Sequence, residues 1–232
     1  VTKPLGMAFI GTNNRVDGPG AFVKARFITV GSNSNVPVRI YSPATLVLPT
    51  MQVNSTSTTG LPDLNIANNT TVTKVGNFKN VTIGTNCNVT FTTGTIFGTV
   101  TIGKSSQVKF NANGTGILNV QSLSLADGTD AAPSKLTFGS DVSIRVKNTA
   151  KIGKSSMVNL IGGYKAVFYI GGTGFNVSPG GNTTVNASVF APNGTIKVEG
   201  DAAKSTYMYG SYIGSRVTSS NKNIYWNLYF QS

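Results

Sequence analysis

The amino-acid sequence predicts an all-β protein built as a single-stranded parallel β-solenoid, and three observations support this fold class. A unit at 100–110 returns almost unchanged at 150–160, and a looser copy precedes both at 81–91. Each copy has an Ile followed by Gly, with Val six positions after the Ile. No amphipathic helical pattern lasts ten residues, and Gly and Pro interrupt the chain throughout. Repeats of this kind are typical of chains that wind, because stacked copies bury the apolar faces of their neighbours.

Each copy alternates apolar and polar residues as a strand, a turn and a second strand would. Ile102, Val108 and Phe110 fall on one side of the chain, while Thr101 and Lys109 fall on the other. A single unit of this size cannot bury its apolar side alone. We therefore expect the ladder hydrogen bonds to run between successive coils.

The turn inside the repeat indicates the size of one coil. Gly103 is predicted at the sharp bend, since Gly reaches turn conformations at little steric cost, and the hydroxyls of Ser105 and Ser106 are predicted to bond turn backbone groups. Gly84 and Gly103 are nineteen residues apart. This distance suits one coil of a three-sided solenoid, for which we favour the right-handed form over the left-handed one. The alternative is an antiparallel sandwich, which also has many short strands at regular spacing.

The N-terminal part of the chain repeats less clearly. Residues 30–36 resemble the Ile-Gly-turn-Val unit, whereas Pro43, Pro49 and Pro62 break the pattern between 41 and 65. Because Pro cannot donate to a strand ladder, 41–65 is predicted to be an excursion from the stack or an edge. Such a segment either carries binding, as loops on solenoids often do, or is an inert linker.

We predict one domain over 1–226, with regular coils over roughly 64–217 and a looser part over 1–63. Less regular segments near 1–20 and 205–226 are predicted to cap the two ends of the stack.

The two chain termini carry separate expectations. The chain starts at Val1 with no signal peptide, so we expect that a leader was removed or that the chain is an excised fragment. Residues 227–232 match the remnant of an engineered protease cleavage site and are excluded from function. A native aromatic last strand from Ile224 to Phe230 is the alternative.

The C-terminal third carries a family resemblance. Its motifs are F-Y-I-x-G at 168–172, S-V-F-A-P-N-G-T-I-x-V-x-G at 188–200 and Y-G-S-x-I-G-x-x-V at 209–217. This order resembles the C-terminal coils of β-solenoid domains in bacterial surface proteins, including choice-of-anchor adhesin-like proteins and pilus-associated proteins. The V-x-I-G-x-x-x-x-V units also resemble bactofilins, the polymer-forming solenoids. The likeness covers roughly 64–217, and it implies a surface or polymer-forming role with no catalytic residues to carry over.

The side chains available for chemistry are few. The chain has no His, which excludes the Ser-His-Asp and Cys-His nucleophile systems and most zinc sites. Among seven acids, Glu199 with Asp201 form the candidate glycosidase pair, and Asp127 with Asp130 the candidate weak calcium pair. Ordinary turn and cap roles are our preferred interpretation of both pairs, so we predict no enzyme, no catalytic residue, no metal and no cofactor. Cys87 is the single cysteine, and we expect a buried thiol rather than a reactive one.

The formal net charge of +12 suggests an attraction to polyanions such as acidic polysaccharide. Two i,i+2 pairs of cations lie on strand faces, and two lysines occupy the same turn position in two copies of the repeat. These candidate ligand-binding cations are Lys24, Arg26, Arg145, Lys147, Lys104 and Lys154. The alternative is that outward lysines only block edge-to-edge sheet pairing and keep the protein soluble.

From these observations we predict a non-catalytic structural or adhesive domain, extracellular or at the cell surface. Charged residues make up only 11% of the chain, and the polar positions are mostly Asn, Thr, Ser and Gly. Self-assembly into filaments or a surface layer is the leading mechanism, so the predicted partner is a second copy or a surface polysaccharide.

We predict no specific nucleic-acid partner, because no basic-aromatic array occurs. No apolar stretch is long enough to span a membrane.

Two other functions stay open. A carbohydrate-binding module for acidic polysaccharide would use the cations or the aromatics Tyr207, Tyr209 and Tyr212. Exposed tyrosines would favour this module, whereas tyrosines buried in a cap would favour the structural role. A polysaccharide-degrading enzyme is the remote alternative.

Overall fold

The computed structural model describes residues 2–4, 7–17, 23–25, 27–41, 45–47, 56–111, 116–160 and 163–227. These residues contain strands and turns, and no helix. The strands in chain order are β1 (Thr2–Pro4), β2 (Met7–Ile10), β3 (Arg15–Asp17), β4 (Val23–Ala25), β5 (Phe27–Val30), β6 (Arg39–Tyr41), β7 (Thr45–Val47), β8 (Leu64–Ile66), β9 (Thr71–Lys74), β10 (Phe78–Ile83), β11 (Asn88–Phe91), β12 (Ile96–Ile102), β13 (Gln107–Phe110), β14 (Ile117–Leu125), β15 (Ser134–Phe138), β16 (Val142–Val146), β17 (Thr149–Ile152), β18 (Ser156–Val158), β19 (Ala166–Ile170), β20 (Gly174–Val177), β21 (Thr183–Asn186), β22 (Ser188–Glu199), β23 (Thr206–Tyr209), β24 (Tyr212–Ser220) and β25 (Ile224–Asn227).

Two large sheets contain most of these strands. The first has 12 strands, in the order β5-β2-β24-β22-β19-β16-β14-β12-β10-β8, with β17 and β20 paired beside this path. The second has 9 strands, in the order β3-β25-β23-β21-β18-β15-β13-β11-β9. All described pairs within both sheets are parallel. The all-β prediction is confirmed, and the antiparallel sandwich is wrong. Two small sheets complete the fold, with β4 parallel to β6 and β1 antiparallel to β7.

The sequence repeats coincide with the strand register. From β10 to β15 the chain alternates between the two large sheets, and each strand pairs with the equivalent strand of the next repeat. Ile83 is paired with Ile102 in the first sheet. Val89 is paired with Val108 in the second. The repeated apolar positions therefore form continuous ladders across strands.

The core lies between the inner faces of the two sheets. Alternation along β11 and β13 turns Phe91 and Phe110 inward, where each is 1% exposed. Their rings stack at a centroid distance of 4.9 Å and an interplanar angle of 9°. Phe97 of β12 meets both rings edge-on at 5.2 Å. Contacts of this kind between aromatic rings contribute beyond simple burial, so this cluster is a main source of packing energy.

The turn after each repeated Ile differs from the prediction in one respect. Gly103 does not have a positive φ; the left-handed residue is Ser105, with φ of 55°, and Asn86 occupies the equivalent place with the same φ. Gly103 is needed for a different reason. A Cβ at this position would lie 2.6 Å from the carbonyl oxygen of Ile83 in the neighbouring strand, which is too close for any side chain.

The predicted role of Ser106 as a turn hydroxyl is confirmed. Ser106 is fully buried; its Oγ accepts a hydrogen bond from the amide of Cys87 at 3.0 Å and donates to the carbonyl of Gly84 at 2.7 Å. Cys87 occupies the same position one repeat earlier, is 2% exposed and is a free thiol, as expected. Side chains at this position thus join successive turns.

The predicted end caps are wrong in their placement. Residues 205–226 do not close an end: β24 and β25 lie inside the sheets, each with a neighbour on both sides. Their outer neighbours are the N-terminal strands β2 and β3. The first strands of the chain therefore continue the ladder beyond the last ones. The reason is that β2 supplies the same alternation as the strands of the repeats, with Ala8 and Ile10 buried at 6% each.

This order places β5 and β8 at opposite ends of the 12-stranded sheet. In the sequence they are separated only by residues 31–63. The described part of that stretch nearest β8 is 56–63, which we name the crossing segment. Within it Thr58 is buried, and its Oγ1 accepts a hydrogen bond from Nε2 of Gln121 in β14 at 2.9 Å. The predicted excursion at 41–65 thus contacts β14 through Thr58, while its residues 42–44 and 48–55, including Pro43 and Pro49, lie outside the described residues.

Candidate functional site

The outer face of the 9-stranded sheet carries a cluster of tyrosines. Tyr207 in β23 is in register with Tyr225 in β25, and their ring centroids are 5.2 Å apart at an interplanar angle of 19°. Tyr209 lies two positions further along β23, on the same face, 6.4 Å from Tyr207 at 17°. We name these three residues the tyrosine face. The rings of Tyr207 and Tyr225 are too close to lie side by side in one plane, so each covers part of the other's face, and the three residues form one aromatic cluster.

The tyrosine face is open to solvent. Tyr207 is 38% exposed despite its two ring contacts, and Tyr209 and Tyr225 are half-buried. Their hydroxyls have no hydrogen-bond partner within the described part of the chain. The residues that alternate with them, Met208 and Trp226, point inward and are buried. These inward residues pack in the core, whereas the tyrosines face outward. Their hydroxyls are therefore available to a ligand.

The structure brings together two of the three predicted tyrosines. Tyr212 belongs to β24 of the other sheet, where its ring packs against buried Trp226 at 5.0 Å and 78°, and its hydroxyl donates to the carbonyl of Tyr209 at 3.2 Å. Tyr212 does not share a surface with Tyr207 and Tyr209, because the turn at Gly210 moves the chain into the other sheet. The residue that sequence reasoning missed is Tyr225. The alternation Ile224-Tyr225-Trp226 was the available signal.

Polar residues border the tyrosine face. Arg15 of β3 is in register with Tyr225, and its Nε forms an ion pair with Oδ2 of Asp17 at 2.6 Å. On the opposite side, Thr184 of β21 is in register with Tyr207. The border therefore offers hydrogen-bond donors and acceptors with no net charge.

The predicted cations do not form a single site. Lys104 and Lys154 lie exposed in turns at the same edge of the stack, as expected, with β14 of the intervening layer between them. Lys24 is exposed in β4, within a separate two-stranded sheet. Arg145 in β16 is half-buried, and Lys147 follows it exposed. Arg26 lies outside the described residues.

Each acidic side chain is engaged by a local partner. Asp17, Asp130 and Glu199 form ion pairs with Arg15, Lys204 and Lys197. The other four accept hydrogen bonds from the amides of Asn80, Lys154, Lys165 and Ala203; they are Asp63, Asp127, Asp141 and Asp201. The two candidate pairs from the sequence are thus occupied in turns and surface ion pairs.

The Asp130 carboxylate is the acid with the most partners. It binds Nζ of Lys204 at 2.6 Å and accepts from Oγ of Ser155 at 2.8 Å and from the amide of Asn182 at 3.2 Å. These hydrogen bonds, with that of Lys204 the strongest, lower the pKa of Asp130 to about 2. The same contact raises the pKa of Lys204. The carboxylate links three turns at one edge of the stack.

A shallow groove of about 580 Å³ lies near this edge, with Asp201 and Lys222 as its charged lining residues. Asp201 already accepts from the amide of Ala203 at 2.7 Å, and the groove contains no second carboxylate. Among the described residues, no three His, Cys, Asp or Glu side chains are close enough to hold a metal. The groove is therefore a weaker candidate than the tyrosine face.

No protein-family model, curated protein or solved structure matches the chain. In the described residues, no helix has the length and hydrophobicity needed to cross a membrane.

The two ends of the 12-stranded sheet are a second candidate surface. Strands β5 and β8 are each paired on one side within the described structure. Large apolar residues are exposed near both ends. Val38 and Ile40, which follow β5, are 48% and 37% exposed, and Val75, which follows β9, is 66% exposed. Open strand edges with exposed apolar residues are typical of surfaces that pair with another chain.

Proposed function

We propose that the chain is a single-stranded parallel β-solenoid that serves as a non-catalytic structural or adhesive module and assembles end to end with copies of itself. The alternation of successive strands between two parallel sheets supports the solenoid. The right-handed form is the one we propose, since parallel crossover connections are right-handed in about 98% of cases. The low fraction of charged residues, 11%, and the Asn- and Thr-rich polar positions support a place outside the cell or at its surface.

The observation that carries the proposed assembly is the match between the two end strands. At the β5 end, the inward residues are Ile28, Val30 and Val36; Ile28 and Val36 are buried and Val30 is half-buried. At the β8 end they are Leu64, Ile66 and Val72, of which Ile66 is buried. The spacing is two and then six positions in both sets. A β8 strand of a second copy would therefore continue the apolar ladders of β5.

The turns at the two ends also match. Asn33 follows Val30 by three positions and has a φ of 54°, and Asn69 follows Ile66 by three positions and has a φ of 57°. Two coils with the same left-handed turn residue at the same place have the same backbone course there. They can stack without a change in either copy.

Among the described residues, backbone groups at the β5 end are left without a partner on the open side. The amide of Gly31 donates to the carbonyl of Ile10 in β2 at 2.7 Å. Since successive residues of a strand direct their backbone groups to opposite sides, Ile28 and Val30 direct theirs to the open side of β5.

The β8 end has the complementary arrangement. The amide of Gly84 in the β10 layer donates to the carbonyl of Ile66 at 2.8 Å, so the backbone groups of Asn65 and the amide of Ala67 face the open side, while the carbonyl of Ala67 accepts from Sγ of Cys87 at 3.0 Å. In a parallel pair with Val30 opposite Ile66, the amide of Val30 meets the carbonyl of Asn65, and the carbonyl of Val30 meets the amide of Ala67. The contact is head-to-tail and does not close on itself, so it produces filaments.

The proposed assembly is tested with a proline at the open edge. The Asn65→Pro substitution removes a backbone amide that faces the open side and does not bond β10, so the variant should fold. It should fail to assemble, because this amide is one of the donors to the second copy. Asn65→Thr keeps the amide and is the matched control. We expect light scattering and electron microscopy to show concentration-dependent filaments for the native chain and for Asn65→Thr, and monomers for Asn65→Pro. A native chain that stays monomeric at every concentration and salt would contradict the proposal.

The absence of His from the sequence and the engagement of all seven acids support a non-catalytic role. Hydrolysis of polysaccharide would need two carboxylates facing a substrate. Glu199 is instead paired with Lys197 at 2.9 Å.

A further inference from the structure

The tyrosine face is not explained by the packing of the fold. The largest aromatic side chains of the core, such as Phe97 and Phe168, are completely buried. Tyr207 instead keeps 38% of its surface exposed on a sheet face whose other outward positions are mostly polar. Nearly parallel rings on neighbouring strands stabilise a ladder modestly, but this contribution does not require three hydroxyls left without a partner in the described structure.

The spacing of the face suits a sugar chain. Neighbouring strands lie about 4.8 Å apart, and the rings of Tyr207 and Tyr225 are 5.2 Å apart. One pyranose ring of an extended β-linked chain has a similar length. A chain lying across the strands would thus place successive sugars over successive side chains of the row Thr184, Tyr207, Tyr225 and Arg15.

The chemistry of the face suits a neutral sugar. Tyrosine offers an apolar ring for the C–H surface of a pyranose and a hydroxyl for its polar groups. Arg15 and Asp17 are paired with each other, so their remaining donors and acceptors can bond sugar hydroxyls without adding net charge. An acidic polysaccharide would need unpaired cations, which the border of this face lacks among the described residues.

We propose that the tyrosine face binds a neutral, β-linked hexose polymer through Tyr207, Tyr209 and Tyr225, with Arg15 and Asp17 at its border. This assignment goes beyond the proposed scaffold role. The sequence pointed to basic residues as the contact with polysaccharide, whereas this proposal assigns that contact to the aromatic residues of the tyrosine face. The two proposals can fail separately, because the tyrosine face lies on the outer face of a sheet and the assembly surfaces lie at the sheet ends.

The test is calorimetric titration of the full chain with cellohexaose, and with hexagalacturonic acid as the charged counterpart. We expect binding of cellohexaose and at least about tenfold weaker binding by Tyr207→Ser. Tyr164→Ser is the matched control, since Tyr164 is 51% exposed outside the tyrosine face, and its affinity should equal that of the native chain. Asn65→Pro should bind as the native chain does, which separates this test from that of assembly.

A second measurement does not depend on a variant. Amide chemical shifts of the native chain titrated with cellohexaose should change mainly in β21, β23, β25 and β3. No binding of cellohexaose, equal affinity in native and Tyr207→Ser chains, or shift changes centred on another surface would each overturn the proposal. Preferential binding of hexagalacturonic acid would also overturn the proposal. It would favour the basic residues as the polysaccharide-binding groups.

Discussion

At the scale of single residues, the turns rely on a few side chains that reach into the next layer. Ser106 and Cys87 occupy equivalent positions in successive repeats, and the Oγ of Ser106 bonds the backbone of the earlier turn at both Gly84 and Cys87. Asp130 has a comparable role at the same edge, where it connects Ser155, Asn182 and Lys204. Such contacts fix the turns relative to one another, which keeps the strands in register.

The Asp130 contacts predict a pH dependence. The pKa of Asp130 in the folded chain is lowered to about 2 from its ordinary value of 3.8, so its contribution to stability is present above pH 3.8 and is lost as pH falls through about 2. In Lys204→Ala the strongest of these hydrogen bonds disappears, and the pKa of Asp130 should rise toward its ordinary value. Carboxyl chemical shifts measured against pH test this expectation. An unchanged Asp130 pKa in Lys204→Ala would show that the ion pair does not form in solution.

At the scale of elements, inward apolar side chains form ladders across neighbouring strands, and phenylalanines are prominent members of these ladders. Phe91 and Phe110 occupy equivalent positions on neighbouring strands of the second sheet, and Phe97 contacts both from the first sheet. The cluster therefore joins the two sheets as well as successive layers.

Removal of one ring from this cluster should be strongly destabilising. Phe110→Ala replaces a side chain that is 1% exposed by a cavity, and we expect the free energy of unfolding to fall by about 3–5 kcal/mol. Urea denaturation followed by circular dichroism measures the change. Val75→Ala is the control, since Val75 is 66% exposed and its truncation should change stability by less than about 0.5 kcal/mol. Similar losses in both variants would contradict the assignment of Phe110 to the core.

Local patterns predicted these elements well and the tyrosine face in part. The alternation around Ile102 and Val108 predicted their burial, and the repeat predicted their partners. Sequence reasoning named Tyr207, Tyr209 and Tyr212 as candidate aromatics without assigning them to a face. Alternation along β23 gives Tyr207 and Tyr209 the same face, whereas Tyr212 lies beyond a turn in the other sheet.

At the scale of the whole molecule, the order of the layers differs from the order of the sequence. The N-terminal strands β2 and β3 follow β24 and β25 in the sheets. No local pattern could predict this, because the pairing joins segments about two hundred residues apart, for example the amide of Ile224 and Oδ1 of Asn14, which are separated by 210 positions. Sequence reasoning therefore placed both terminal segments at free ends.

The layer order predicts that the chain tolerates permutation at one place. A chain that runs from 56 to 227 and continues directly with 1–41 would follow the layers in spatial order, and it would lack only the described pairing of β1 with β7. We expect this permutant to keep a β-type circular dichroism spectrum and cooperative unfolding. A permutant opened inside β14, at Val120, should not fold, since Val120 is completely buried. Loss of structure in the first permutant would contradict the layer order.

The junction between the first and last strands also governs when the molecule can finish folding. During synthesis, β2 and β3 leave the ribosome before any other strand of the two large sheets, yet their partners β24 and β25 are made last. Until then the edge of β2 opposite β5 and the edge of β3 that faces β25 have no native neighbour, and such edges are sites of misassembly with other chains. Contacts so distant in sequence also slow folding. Strands β2 and β3 therefore complete their native pairing only after β24 and β25 have been synthesised.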